Sequence, residues 1–130
     1  MRVVALCLWL FCGAAFACGH CVEDRIAAVY DHQQIQQARS AGHRVAYIAV
    51  DGLSGEPAAQ RRVLEQAASL PGIDHGSLRV STDPGALSFG FDPARQSAER
   101  LQGVLQRRLS RHGAASTFLR VDDGAAETRQ

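Results

Sequence analysis

Arg44 to Val50 reads RVAYIAV, one charge followed only by apolar or aromatic positions, most of them β-favouring. A run this apolar cannot alternate between core and water, so it predicts a central, buried strand against which the rest of the chain must pack. Asp51 and Gly52 then open a loop that ends near Pro57, a favoured first helical residue. From Pro57 to about Leu70, Val63, Leu64, Ala67 and Leu70 share one helical face with Arg61, Arg62 and Glu65 outside it, and Pro71-Gly72 ends the helix. SLRVS alternates with Leu78 and Val80 inward, Asp83-Pro84-Gly85 turns the chain, and ALSFGF alternates with Leu87, Phe89 and Phe91 inward, which predicts a hairpin. A last helix starts between Asp92 and Ser97 and spaces Leu101, Val104, Leu105 and Leu109 on one face. Gly113 caps it, STFLRV forms a final strand, and the polar tail 123–130 is expected to fray.

Before the central strand, residues 22–42 predict one helix of about 20 residues. Val22, Ile26, Val29, Tyr30 and Ala38 approximate an apolar face, Glu23 and Asp24 sit in the first turn, and Gly42 is the stop. After this helix the order is β-α-β-β-α-β. The expected fold is therefore α+β: a ferredoxin-like four-stranded antiparallel sheet over residues 44–122 with two helices on one face, preceded by an extra N-terminal helix within 18–43.

Residues 45–121 resemble the heavy-metal-associated domain, the fold of small copper chaperones and of the N-terminal modules of metal-pumping ATPases. The resemblance lies in VDGLS after the first strand, in LPGI after the first helix of the unit, in SLRVS, and in LSFGFDPARQSAERLQGVL. In that family the loop after the first strand carries Gly-Met-x-Cys-x-x-Cys, whose thiolates bind a soft metal. Here Gly52, Leu53 and Ser54 match the start of the loop, whereas Gly55 and Ala58 stand near the cysteine positions. The resemblance implies a metal-carrier fold and a metal-transporting membrane protein as partner, but this chain lacks the family's own site.

A CxxC stands elsewhere, in Cys18-Gly19-His20-Cys21. It directly follows the uncharged run VVALCLWLFCGAAFA, which reads as a cleavable export signal over residues 1–17 ending in the A-x-A pattern of Ala15-Phe16-Ala17. The run is shorter than the roughly 20 apolar residues that span a bilayer, so no stable membrane insertion is expected after cleavage. An uncleaved anchor, or a lipoprotein acylated at Cys18, are the alternatives to a protein free in the periplasm. Cleavage removes Cys7 and Cys12, leaving Cys18 and Cys21, too close together to staple a fold. It also removes Arg2, so 13 Arg face 13 Asp and Glu. That neutrality argues against nucleic acid as a partner.

The backbone amides at a helix start favour thiolate over thiol, and thiolate is both a soft-metal ligand and a redox nucleophile. The metal reading assigns Cys18, Cys21 and His20 to Cu(I), with Zn(II) as the second candidate and His32 as a more distant ligand. With Cys18 as the new terminus, His20 stands third, where amine, amides and imidazole can also hold Cu(II) or Ni(II) in a plane. The redox reading assigns thiol-disulfide exchange to Cys18 and Cys21. CGHC is also the motif of protein disulfide isomerase-type thioredoxin domains, but no thioredoxin-like chain follows it here. A third reading is a non-catalytic interaction module with an inert disulfide. No nucleophile-base pair, carboxylate dyad or phosphate loop is evident, so the chain reads as a carrier or buffer rather than an enzyme. His43, His75 and His112 are expected to be solvated, Asp31-His32 to be a helix-surface pair, and Arg61-Arg62 and Arg107-Arg108 to be solvated helix faces. One geometric expectation links motif and fold. A helix climbing about 30 Å and a strand returning about 23 Å would bring the CxxC beside the Gly52 loop.

Overall fold

The computed structural model describes residues 21–122, so the expected export signal 1–17, Cys18, His20 and the tail 123–130 lie outside the described residues. The elements in chain order are α1 (Val22–Val29), α2 (His32–Ser40), β1 (Arg44–Asp51), α3 (Pro57–Ala67), β2 (Arg79–Thr82), β3 (Gly85–Phe91), α4 (Ala98–Ser110) and β4 (Ala115–Asp122). The strands form one antiparallel sheet in the order β2-β3-β1-β4, the ferredoxin-like arrangement expected. RVAYIAV is its central strand, flanked by β3 and β4 and buried from Val45 to Val50.

Alternation along β1 and β3 sends two sets of side chains to opposite faces. Ala46, Ile48, Val50, Leu87, Phe89 and Phe91 meet Leu64 and Ala67 of α3 and Leu101, Leu105 and Leu109 of α4 in the larger core. Pro57 opens α3 and Ser97 caps α4 through a bond from the Arg100 amide. Helix α3 stops at Ala67, short of the expected Leu70, although Leu70 stays buried.

The other face carries Val45, Tyr47 and Ala86, and it is covered by α1 and α2. The expected single helix is here two. Tyr30 is extended, and Asp31 accepts bonds from the Gln33 and Gln34 amides at 2.9 and 3.3 Å, which ends one helix and caps the next. Asp31 also binds Arg79 of β2 at 2.8 Å, so it is a junction rather than a surface pair. The break turns Ile26, Val29, Ile35 and Ala38 inward and leaves Val22 and Tyr30 49% and 53% exposed, against the expectation for both. Ala86 and Ser88 provide the small side chains that let the helices lie close, and at Gly90, where a Cβ would come within 2.7 Å of Asp74 Oδ2, the segment after α3 approaches the strand. Buried Gln34 and Ser88 form a polar seam in this layer: the Gln34 amide donates to Ser77 O and Ser88 Oγ, and the Ser88 hydroxyl donates to Val29 O. Gly42 ends α2 at φ 71°, with the His43 amide bonded back to Ala38 O at 2.8 Å.

Two consequences are measurable. The Arg79 guanidinium, followed by the backbone amide of Gln34, holds the Asp31 carboxyl below its ordinary value of 3.8. Its contribution to stability is therefore complete above that value and lost as pH falls through the lower folded one. Asp31→Ala is expected to lower the melting temperature at pH 7, with the gap to the parent closing in acid melts below pH 4; a gap constant with pH would contradict it. Tyr47 is 1% exposed and its hydroxyl has no hydrogen-bond partner among the described residues. Burial, reinforced by the Asp122 carboxylate, pushes its phenol up to about 12. The fold keeps the neutral phenol, so stability falls as pH rises from 10 toward 12. Tyr47→Phe is expected to change stability at pH 7 by less than about 1 kcal/mol and to flatten that alkaline loss in urea titrations. A cost well above that would show that the hydroxyl is bonded.

In β4, Tyr47 pairs with Arg120 and the next residue, Ile48, pairs with Phe118, so Leu119 is a bulge. Leu119 packs against the second core.

Candidate functional site

Cys21 is the N-cap of α1, exposed and free, with extended backbone at φ −73° and ψ 168°. Its side chain makes no capping bond, and its carbonyl accepts the first helical bond, from the Arg25 amide at 3.2 Å. One turn on, the Arg25 side chain is 15% exposed and reaches the end of the sheet. There its guanidinium donates to Asp51 Oδ1 at 2.6 Å, to Gly85 O at 3.0 Å and to Val50 O at 3.4 Å. The start of α1 is thus fixed at the end where β1 stops and the β2–β3 turn lies. That is the end expected from helix and strand lengths, reached with two helices in place of one.

The β1–α3 connection begins at this end. Gly52 takes φ 88°, and a Cβ there would approach Gly113 O to 2.9 Å, so the loop passes tightly under the α4–β4 turn. Gly55 takes φ 98° and its carbonyl accepts a bond from the Gln60 side chain at 2.8 Å. Leu53 packs on the larger core, and Ser54 and Glu56 are exposed. The connection offers hydroxyl and carboxylate oxygens and no thiol, so a soft ion finds no sulfur ligand in it.

Of the sequence-predicted ligands, Cys21 is described and Cys18 and His20 lie outside the described residues. His32 is exposed, with its ring 3.1 Å from the Gln36 side-chain nitrogen. It follows the C-terminal end of α1, about 12 Å of helix beyond the Cys21 end, so the break in the helix does not bring it back to the cysteine. Among the described residues no three His, Cys, Asp or Glu side chains are grouped to hold a metal ion.

Sequence reasoning missed His43. It is partly buried rather than solvated, with Nδ1 2.8 Å from Asp74 Oδ2 and Nε2 3.9 Å from Asp92 Oδ2. The imidazole joins the start of β1 to the segment after α3 and to the residue after β3. His75 and His112 are exposed, as expected. Arg61 bonds Glu65 at 3.2 Å, Arg62 donates to Ala58 O at 3.4 Å and Arg108 donates to Ser69 O at 3.0 Å, while Arg61, Arg62 and Arg107 are exposed.

No helix among the described residues is long and apolar enough to cross a membrane. No family model matches the sequence, and no curated protein matches it. Among solved structures, the chain is similar to a copper-binding domain from HMA7, a P-type ATPase, with 19% identity and a TM-score of 0.49 over 61% of this chain and 97% of that one. It is also similar to oxidised MerP from Ralstonia metallidurans CH34, with 16% identity and a TM-score of 0.47 over 60% of this chain and 99% of that one.

Proposed function

We propose that this protein is an exported carrier or buffer for a soft transition metal, with Cu(I) the first candidate and Zn(II) the second, bound through Cys18, Cys21 and His20. The observation that carries the reading is the position of Cys21: an exposed, free thiol at the N-cap of a helix whose first turn is tied to the sheet end. A cysteine three residues earlier has the spacing at which two sulfurs ligate one ion. The metal is cargo, to be passed to a metal-transporting membrane protein. Export through cleavage after Ala17 belongs to the same reading, because it frees the Cys18 amine and sets His20 third. The ligand set would then select Cu(I) when the thiols are reduced and Cu(II) when imidazole, amine and amides act alone.

Thiol-disulfide exchange is the second reading, favoured by the same exposed Cys21. The two separate in one experiment on the reduced exported chain. Titration with Cu(I) against a chromophoric chelator is expected to show about one equivalent bound, and Cys18→Ser, Cys21→Ser together to abolish it. Uptake unchanged in the double variant would overturn the metal reading, and turnover of a model disulfide without metal uptake would establish the redox one.

A further inference from the structure

Helices α1 and α2 are fastened to the sheet differently from α3 and α4. The larger core takes Leu64, Leu101, Leu105 and Leu109 from its helices, whereas the second takes only Ile26, Val29, Ile35 and Ala38. Its interior is interrupted by the Gln34–Ser88 seam and by the unpartnered Tyr47 hydroxyl. Its rim is closed by charge. Arg25 meets Asp51 of β1 at 2.6 Å, Asp31 meets Arg79 of β2 at 2.8 Å, and Arg39 and Glu23 meet Asp122 and Arg120 of β4 at 3.8 and 3.9 Å. The connection to the sheet is Gly42, at φ 71° with nothing within 4 Å of its Cβ position. The next residue, His43, is anchored to the rest of the protein by Asp74 and Asp92.

We propose that the α1–α2 pair is a latched cover: its two helices leave the sheet and unwind together, up to Gly42, while the βαββαβ core beyond His43 stays folded. Helices of eight and nine residues are too short to persist alone, so leaving the sheet and unwinding are one event. The opened form exposes Val45, Tyr47 and Ala86 and releases Cys21 from the sheet end. The rim pairs set how often this happens, and because most of their members are partly exposed, salt weakens the latch. The inference goes beyond the metal reading and does not depend on it.

Native-state hydrogen exchange of the reduced exported chain, without metal, tests it. The Ile35 and Ala38 amides are expected to exchange at least about tenfold faster than those of Ile48 and Phe89, with a smaller urea slope. Raising NaCl from about 0.05 to 1 M should speed the helix amides further. Asp31→Asn should speed exchange in both helices. It should speed the globally exchanging sheet amides by no more than the same factor, because the pair is lost in the opened form and in the unfolded chain alike, so the gap between helix and sheet persists. If that variant fails to fold, Arg79→Gln releases the same pair while leaving the α2 cap intact. Helix amides that exchange at the rate and urea slope of Phe89 would overturn the proposal, because the chain would then open as a single unit.

Discussion

Phe89→Ala is expected to cost about 4 kcal/mol of folding stability. Phe89 is 0% exposed in β3, next to the central strand, with its ring edge-on to Phe91 at a centroid distance of 6.3 Å. Its removal leaves a void in the core where one sheet face meets α3 and α4, to which Leu64, Leu101 and Leu105 also belong. Domains of this size carry roughly 5 to 15 kcal/mol in total, so the variant should melt about 20 °C lower. By contrast, Ile35→Val in the second core should cost only about 1 kcal/mol. Thermal and urea unfolding measure both. A Phe89→Ala cost below about 1.5 kcal/mol would mean that the larger core is not the main support of the fold.

Loss of either cysteine is expected to have the largest effect on metal uptake, lowering apparent Cu(I) affinity by more than about 100-fold. Serine keeps the shape of cysteine but presents a hard hydroxyl that stays protonated near neutral pH, while Cu(I) prefers a polarisable anionic sulfur. His20→Ala should leave most Cu(I) uptake in place and remove the planar Cu(II) site. An intact mass of the exported chain accompanies these measurements. Acylation of Cys18 would occupy both its sulfur and its amine, and affinity in the parent would then already match that of the Cys18→Ser variant. Equal affinity in the parent and both single variants, all unacylated, would exclude the thiols as ligands.

The six elements of the ferredoxin-like unit were legible because each has a strong local signal. RVAYIAV has no polar side to expose, Leu87, Phe89 and Phe91 alternate, and Leu101, Leu105 and Leu109 repeat at the helical period. The second helical layer was only half legible. Residues 22–40 are helix-forming, but the break at Tyr30-Asp31 rests on Asp31 capping the Gln33 and Gln34 amides, a local signal that the continuous apolar spacing masked. The further bond between Asp31 and Arg79, 48 residues away, is one that no local pattern shows. The small residues Ala86, Ser88 and Gly90 alternate with the large ones on β3, and they were the one sequence sign that something packs closely on that face. His43 was hidden for the same reason as the Asp31–Arg79 pair, since Asp74 and Asp92 reach it only through the folded chain. At the candidate site, the helix start at Cys21 was foreseeable from Glu23, Asp24 and the apolar spacing behind them. Its attachment to the sheet end through Arg25 was not, because two of its three acceptors are carbonyls that any residue could supply and the third, Asp51, is 26 residues away.

The bulge at Leu119 bears on how the protein behaves when concentrated. With helices on both faces, the sheet among the described residues has two outer edges, β2 with 4 residues and β4 with 8. A regular eight-residue edge would be a template for edge-to-edge aggregation. The extra residue breaks that template into Ala115–Phe118 and Arg120–Asp122, and an incoming strand in register with one part is out of register with the other. Arg120 and Asp122 add charge to the shorter part. Deleting Leu119 would straighten the strand and remove this protection, turning β4 into the surface along which copies of the chain could stack.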